Sequence, residues 1–418
     1  MNILIKSAII LDQSNAKLHL KKKDLLIQNG IIKQIAAEIK PEATFKTIRY
    51  PNLHVSLGWL DTGVSFGEPG FEERETLENG LRVAAMSGFT DIILNPDTQP
   101  IPDNNSAISY LKNASRNTAT KIHPLGALSV NSNGIDLAEL YDMSKAGAIG
   151  FYDYKKPLTN ANLLKIALQY TQGFKGKVFS FPMDNSIRGK GVVNEGEVST
   201  KLGLKGIPNL AEELQIMRDL FILEYTGGEL FIPTISTARS VEIIANAKKR
   251  GLNVHCSVSI HNLLYSDKVL EDFDSVYKVM PPLRTDKDNK ALLKGLKDKT
   301  IDFITSDHKP LTIDEKRIEF DNADYGSIGL ESTFGILNRL LGMEMAINFL
   351  TKGRQYFNIN ENLIATDKIA NLCLFDPHAE HILTSEQSIS SSKNSMTFGE
   401  KLVGKVYGVI ANNKTNLT

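Results

Sequence analysis

Cysteine is nearly missing from this chain. Two residues in 418, Cys256 and Cys373, cannot build a disulfide framework and form no metal-binding spacing. Such usage leads us to expect a reducing cytoplasm. A surplus of charge is missing too: 48 Lys+Arg stand against 48 Asp+Glu, so nothing favours nucleic acid or an anionic membrane as a partner. No stretch reaches the ~18 apolar residues of a membrane span. The opening MNILIKSAIILDQ is interrupted by Lys6 and lacks a small-residue cleavage site, so it reads as a strand rather than a signal peptide. Histidine is scarce. The eight present make no H-x-H, H-E-x-x-H or other ligand spacing, and Gly-x-Ser-x-Gly, Walker-type glycine loops and Cys–His pairings are absent.

What remains is an ordinary soluble balance, 42% hydrophobic and 23% charged. The length suits a barrel of ~250 residues plus a smaller domain. Residues 1–57 are β-rich: Ile3–Ile10, Asp24–Gln28 and Ile31–Ile35 alternate or run apolar, and Asn29-Gly30 signals a hairpin. From Gly58 the texture changes. Short apolar strands such as Thr90–Leu94 and Asp302–Thr305 alternate with helical patterns at Glu73–Met86 and Ser240–Lys249. Repeated β-then-α units predict a parallel barrel over residues 58–364. The tail, 365–418, returns to strands at Asn371–Phe375 and Lys401–Ile410, with the Ser-rich loop Gln387–Ser395 between them.

The stretch Gly58–Asn104 resembles the first strand, loop and helix of the dihydroorotases, a branch of the amidohydrolase superfamily. That family reads D-x-H-x-H-x-R-E-P-G at this point. Asp61, Glu68, Pro69 and Gly70 match it. The resemblance continues through GAIGFYDY (147–154), residues 196–220 and 234–254, VMPPLR (279–284), SDHKP (306–310) and IGLES (328–332), and through NLCLFDP and FGEKLVGKVYGVI near the end. It departs at Lys352–Arg354, where the family has Asn-Pro-Ala. It implies an α/β fold: a (β/α)8 TIM-like barrel beside a small β-domain formed by both termini, residues 1–57 and 365–418.

The same resemblance implies a zinc site, and here the residues depart from it. A hydrolytic zinc needs imidazole, carboxylate or thiolate ligands and an open position for water. The two His positions of the first strand are Gly63 and Ser65, and the next two are Phe181 and Thr234. Of the family's metal positions only Asp153 and Asp307 keep a carboxylate, the latter at the position of the family's general acid/base. Two carboxylates alone would at most attract a hard cation such as Mg²⁺. Their plainer role is at strand ends, capping a helix or accepting backbone N–H groups. The substrate-carboxylate grips are also replaced: Gly67 stands for the Arg, Asp97 for an Asn, and Leu311 for a His. Asp97 would set a negative charge against an anionic substrate unless protonated. Arg188, Lys190 and Lys309 are the alternative cations for such a carboxylate. His261 matches a family position near the pocket mouth, whereas His255 reads as packed or surface and His308 should point away from Asp307.

A frame kept while both sets of site residues are gone implies a dihydroorotase-like protein of pyrimidine biosynthesis without catalysis, with no resident cofactor, no nucleic acid and no membrane. We expect a homo-oligomer. The resemblance implies aspartate carbamoyltransferase as the structural partner, since inactive members of the family serve that enzyme. The alternative is an active cyclic-amide hydrolase, dihydroorotase or hydantoinase-like, with zinc at a relocated site. A third reading, a small-ligand sensor, rests on the space that Gly63 and Gly67 would open and that Phe181 would refill.

Overall fold

Alternating apolar residues draw the first segment of the chain into strands β1 (Asn2–Leu11), β2 (Lys21–Gln28), β3 (Ile31–Ala36), β4 (Lys46–Ile48) and β5 (His54–Leu57). Asn29 and Gly30 both take left-handed backbone, φ 51° and 76°, which gives the tight turn joining β2 to β3. This is the computed structural model of the chain, and it describes residues 2–360 and 363–418.

Eight parallel strands build the next layer, with a separate two-stranded pair, Val193–Asn194 and Gly206–Ile207, inserted after the fifth: β6 (Trp59–Val64), β7 (Phe89–Leu94), β8 (Lys121–Pro124), β9 (Phe151–Tyr152), β10 (Val178–Phe179), β11 (Leu230–Ile232), β12 (Val254–Ser259) and β13 (Phe303–Thr305). Parallel bridges Gly126–Phe151 and Val64–His308 join the two arcs, so the strands close into a ring. One principal helix follows each strand: α1 (Leu77–Met86), α2 (Asn105–Ala114), α3 (Leu140–Ala146), α4 (Ala161–Thr171), α5 (Asn209–Thr226), α6 (Ala238–Lys249), α7 (Asp286–Lys297) and α8 (Leu330–Leu341). This is the (β/α)8 barrel.

Helix α1 starts four residues later than its apolar pattern suggests. Thr76 takes the extended N-cap conformation, φ −79° and ψ 156°, and its hydroxyl accepts from the Asn79 N–H. The preceding Glu75 carboxylate is turned instead to Ser391 and Asn79.

After the barrel, β14 (Asn371–Ile382), β15 (Lys401–Ala411) and β16 (Lys414–Leu417) return to the sheet of the first five strands. Its order is β16–β15–β14–β5–β1–β2–β3, with β4 on β1. Ile3, Ile5, Leu25, Val55, Leu372 and Leu374 form its core. Trp59 locks this sheet to the barrel: its ring lies 4.8 Å from Phe334 and 5.8 Å from Phe375, and its N–H donates to Ser56 Oγ.

The departing stretch at Lys352–Arg354 and the Ser-rich loop are both well used. Arg354 reaches Asp91 at 2.7 Å and His123 reaches the same carboxylate at 2.8 Å. Burial opposes that charge, yet Arg354 and His123 hold the Asp91 carboxyl far below its ordinary range. The Ser-rich loop lies on the barrel, with Ser388 and Ser390 hydroxyls and the Ile389 N–H on Glu331.

Candidate active site

The C-terminal ends of the barrel strands, where such folds place their chemistry, carry Gly63, Ser65, Asp97, Asp153, Phe181, Thr234 and Asp307. At the first strand Asp61 is an internal brace. It accepts from Gly63 N–H at 3.0 Å, Thr305 Oγ1 at 2.7 Å and Ser306 N–H at 3.0 Å. Thr305 Oγ1 stands 3.1 Å from where a Gly63 Cβ would be, so a threonine hydroxyl takes up the space of the missing side chain. Ser65 Oγ accepts from Asn95 Nδ2 at 3.2 Å. At Gly67, φ is 131° and a Cβ would lie 2.5 Å from the Phe71 carbonyl oxygen. The loop as folded admits no side chain there. The Arg in the following turn, Arg74, faces the Glu315 carboxylate and lies 4.2 Å over the Phe71 ring.

Asp153 and Asp307 have different fates. Asp153 accepts from the Leu128 and Ser129 N–H groups, each at 3.0 Å, and from the Ser129 hydroxyl. That is the backbone-satisfying role expected of it. Asp307 departs from that expectation. Among the described residues it caps no helix and takes no backbone N–H; its Oδ2 receives Lys155 Nζ at 2.9 Å. Both side chains are buried, with 10% of Lys155 and 6% of Asp307 exposed. Burial raises the Asp307 pKa, with Lys155 and then Lys309 pulling against it.

Lys155 is the residue that sequence reasoning missed. It and Lys309 flank one aromatic ring: their Nζ atoms lie 5.3 Å and 5.5 Å from the centroid of Tyr154. Asp97, half-buried, belongs to the same group. Burial raises its pKa, while Lys309, Ser65, Arg74 and Lys155 lower it. The mouth therefore holds two ammonium groups and two carboxylates. Around them Phe181, Met183, Tyr152 and Tyr154 are buried in one apolar cluster.

Zinc does not fit this donor set. Gly63, Ser65, Phe181 and Thr234 offer no nitrogen, Asp153 is saturated by backbone and hydroxyl donors, and Asp307 already holds a cation. Among the described residues no three His, Cys, Asp or Glu side chains converge on a common point. The same engagement leaves no free carboxylate pair for Mg²⁺. The backbone is strained at this end: Lys155, Thr234 and Asp307 all have positive φ, 52°, 53° and 46°. For a β-branched residue such as Thr234 this is a genuine outlier.

The histidines stay outside this cluster's bonds. His308 points away from Asp307, and its Nδ1 accepts from the Gly329 N–H at 3.2 Å, at the start of α8. His261 is fully buried. Burial, then Lys155 and Lys316, lower its pKa to about 3, so the ring is neutral. His255 packs 4.8 Å from the Phe231 ring and lies 3.4 Å from Glu229. Arg188 donates to the Tyr325 hydroxyl at 3.3 Å, and Leu311 is a buried core residue.

A closed parallel barrel joined to a β-sheet from both termini, with its special side chains at the strand ends, is the amidohydrolase architecture. Solved structures agree. The L-hydantoinase (dihydropyrimidinase) from Arthrobacter aurescens matches with TM-score 0.85 at 21% identity, covering 99% of this chain and 95% of that one. The dihydropyrimidinase from Brevibacillus agri gives TM-score 0.81 at 18% identity, with the same coverage. At such identity the likeness is one of fold.

Sequence narrows the class to a family. Residues 54–240 match the family described as Dihydro-orotase-like. The protein named Dihydroorotase of Acetivibrio thermocellus is 36% identical over 398 residues, 93% of each chain. That of Geotalea daltonii is 35% identical over 422 residues, 99% of each. This chain belongs to the dihydroorotase family. No helix among its described residues is long and apolar enough to cross a membrane.

Proposed function

We propose that this chain is a dihydroorotase-like protein of pyrimidine biosynthesis that does not hydrolyse dihydroorotate and serves as a structural partner of aspartate carbamoyltransferase. One observation carries the reading. Lys155 Nζ occupies Asp307, the family's acid/base and metal position, at 2.9 Å. With that carboxylate paired and no imidazole at Gly63, Ser65, Phe181 or Thr234, neither a metal-bound hydroxide nor a free general base is built from these residues. Gly67, Asp97 and Leu311 likewise offer no cation for a substrate carboxylate. The domain limits of the reading are 1–57 and 365–418 for the β-domain and 58–364 for the barrel, and its compartment is the cytoplasm.

The relatives' name, Dihydroorotase, favours a second reading, an active cyclic-amide hydrolase with a relocated metal. Two measurements separate them. Dihydroorotate hydrolysis between pH 6 and 9, with zinc supplied, should stay at background and be unmoved by Asp307→Asn. Turnover lost in that variant, with the fold intact, supports the hydrolase instead. Co-expression with aspartate carbamoyltransferase of the same cell should give one complex by size-exclusion chromatography with light scattering. That complex should bury at least ~1,000 Å² and depend weakly on salt, given the balanced charge. Separate elution at micromolar concentration removes the named partner.

A further inference from the structure

At the end of the barrel opposite the mouth, a cavity of about 220 Å³ lies between the barrel and the β-domain. One wall is helix α9 (Met343–Lys352). It turns Glu344, Ile347, Asn348 and Thr351 to the space, at the three- and four-residue spacing of one helix face. The facing wall comes from the β-domain: Leu11 and Asp12 at the end of β1, Leu57 at the end of β5 and Asn371 at the start of β14. Gln13 Nε2 donates to the Glu344 carboxylate at 3.3 Å and ties the loop after β1 to α9.

Three residues on these walls carry a buried acceptor that no donor meets. Asp12 Oδ2, Asn348 Oδ1 and Asn371 Oδ1 receive no hydrogen bond among the described residues. Asp12 matters most, because it is a carboxylate and only 5% exposed. Its Oδ1 accepts from the Ser14 N–H at 3.0 Å and from the Ser14 hydroxyl, which leaves Oδ2 free. A buried carboxylate is stable as the ion only beside a cation or enough donors. The cations on the walls do not serve it. Arg354 is committed to Asp91 at 2.7 Å and Thr90 at 3.1 Å, and Lys352 is exposed to solvent.

The rest of the lining says what shape would satisfy it. Leu11, Leu57, Ile347 and Leu363 supply apolar surface, so the missing donor belongs on an apolar body. The volume lies below the ~300–1,000 Å³ of sites for drug-sized ligands, so that body is short. A primary ammonium brings three N–H donors and a positive charge. An alcohol of the same length brings one donor and no charge, and a carboxylate would meet Asp12 with its own sign.

We propose that this cavity binds a small aliphatic primary amine, with its ammonium on Asp12 and its methylene chain between Leu57, Ile347 and Leu363. The site lies at the N-terminal ends of β6 and β7, so it stands whether or not the mouth around Asp307 catalyses.

The test uses the full chain and n-butylammonium, titrated by saturation-transfer NMR at constant ionic strength. 1-Butanol and butyrate carry the same chain on a neutral and a negative head. The amine should bind saturably and at least ~10-fold more tightly than either. Asp12→Asn keeps an acceptor for Ser14 and removes the charge. It should weaken the amine at least ~10-fold and leave butanol unchanged. Thr351→Met fills the cavity from α9 without altering charge and should abolish binding of every probe, with far-UV circular dichroism reporting the fold of both variants. Should Asp12→Asn not fold, Thr351→Met and the two control ligands still decide. No saturable binding of the amine overturns the proposal. So does butyrate binding as well as the amine, or amine binding that persists in the folded variants. Nα-acetyllysine amide presents the same ammonium on a peptide. If it binds more tightly than butylammonium the proposal also falls, since the occupant is then a lysine of another protein.

Discussion

Replacing Lys155 by Met tests the central claim about the barrel mouth. The Lys155–Asp307 pair is 2.9 Å long with side chains 10% and 6% exposed, so water screens it little. Removing one partner of such a pair leaves the other ion buried and destabilises by about 3–5 kcal/mol. Unfolding entropy of ~2.1 cal/mol/K per residue makes each kcal/mol worth roughly 1 °C in a chain of this length. Lys155→Met and Asp307→Leu should therefore each lower Tm by about 3–5 °C. The double variant should return to within ~1 °C of wild type, because apolar side chains of similar volume replace a buried pair at little net cost. The pH dependence has a definite sign. Burial already raises the Asp307 pKa, and removing Lys155 raises it further. An acid whose folded pKa is raised binds its proton more readily folded than unfolded. The Lys155→Met penalty should thus shrink as pH falls through that raised pKa. Thermal melts by circular dichroism over pH 5–8 measure all of this. Single variants melting with the wild type, or a double variant as unstable as the two losses added, would refute the reasoning.

Zinc should be bound at far less than one ion per chain in protein purified without chelator. Saturating zinc should leave Tm unchanged, whereas a ligand at ~100 times its Kd adds ~2.7 kcal/mol of stability; stoichiometric zinc that survives dialysis and is lost in Asp307→Asn would sink the idea. His255 should make stability fall as pH rises. Burial opposes its charge, but Asp302 and Glu229 outweigh burial and raise its pKa above the ordinary 6.5. Its contribution is complete below that ordinary value and lost as pH climbs through the raised one. The stability gap between wild type and His255→Gln should accordingly close as pH rises above the ordinary 6.5, and a gap that does not change with rising pH would refute it.

The barrel was legible because its signals are local and repeated. Helix α6 starts at Ala238, capped by Thr237, two residues before the pattern read at Ser240–Lys249, and the Asn29-Gly30 turn stands where the strand alternation breaks. The segments carrying the family resemblance are also the ones that brace the frame. Arg284 of PPLR is fully buried and donates to Ser236 Oγ, Asn194 Oδ1 and the Ile207 carbonyl. Glu212, on α5, holds the Ser236 and Thr237 N–H groups at the end of β11. The start of α1 was misplaced because helical spacing continues back to Glu73, while the cap geometry at Thr76 and a partner over three hundred residues away, Ser391, decide where the helix begins.

The losses at the site could be read from sequence; what replaced them could not. A missing histidine is visible as a letter, and the four letters at Gly63, Ser65, Phe181 and Thr234 are unambiguous. Lys155 carries no such mark. It follows a two-residue strand, so alternation beyond Tyr152 no longer says which way a side chain points. Its own φ of 52° and that of Asp307, 46°, belong to a region such residues rarely visit, so neither turn is predictable from residue type. The outcome is nonetheless forced by electrostatics. An aspartate buried at a barrel mouth needs either a proton or a cation. Here Lys155, two residues beyond Asp153, supplies the cation. Lys309 and Asp97 extend the same neutralisation. Such a cluster would not form beside a bound divalent ion, because Lys155 would meet the ion's charge at the very carboxylate both require. The ion pair therefore supports the proposed loss of catalysis more directly than the side chains at Gly63, Ser65, Phe181 and Thr234 do.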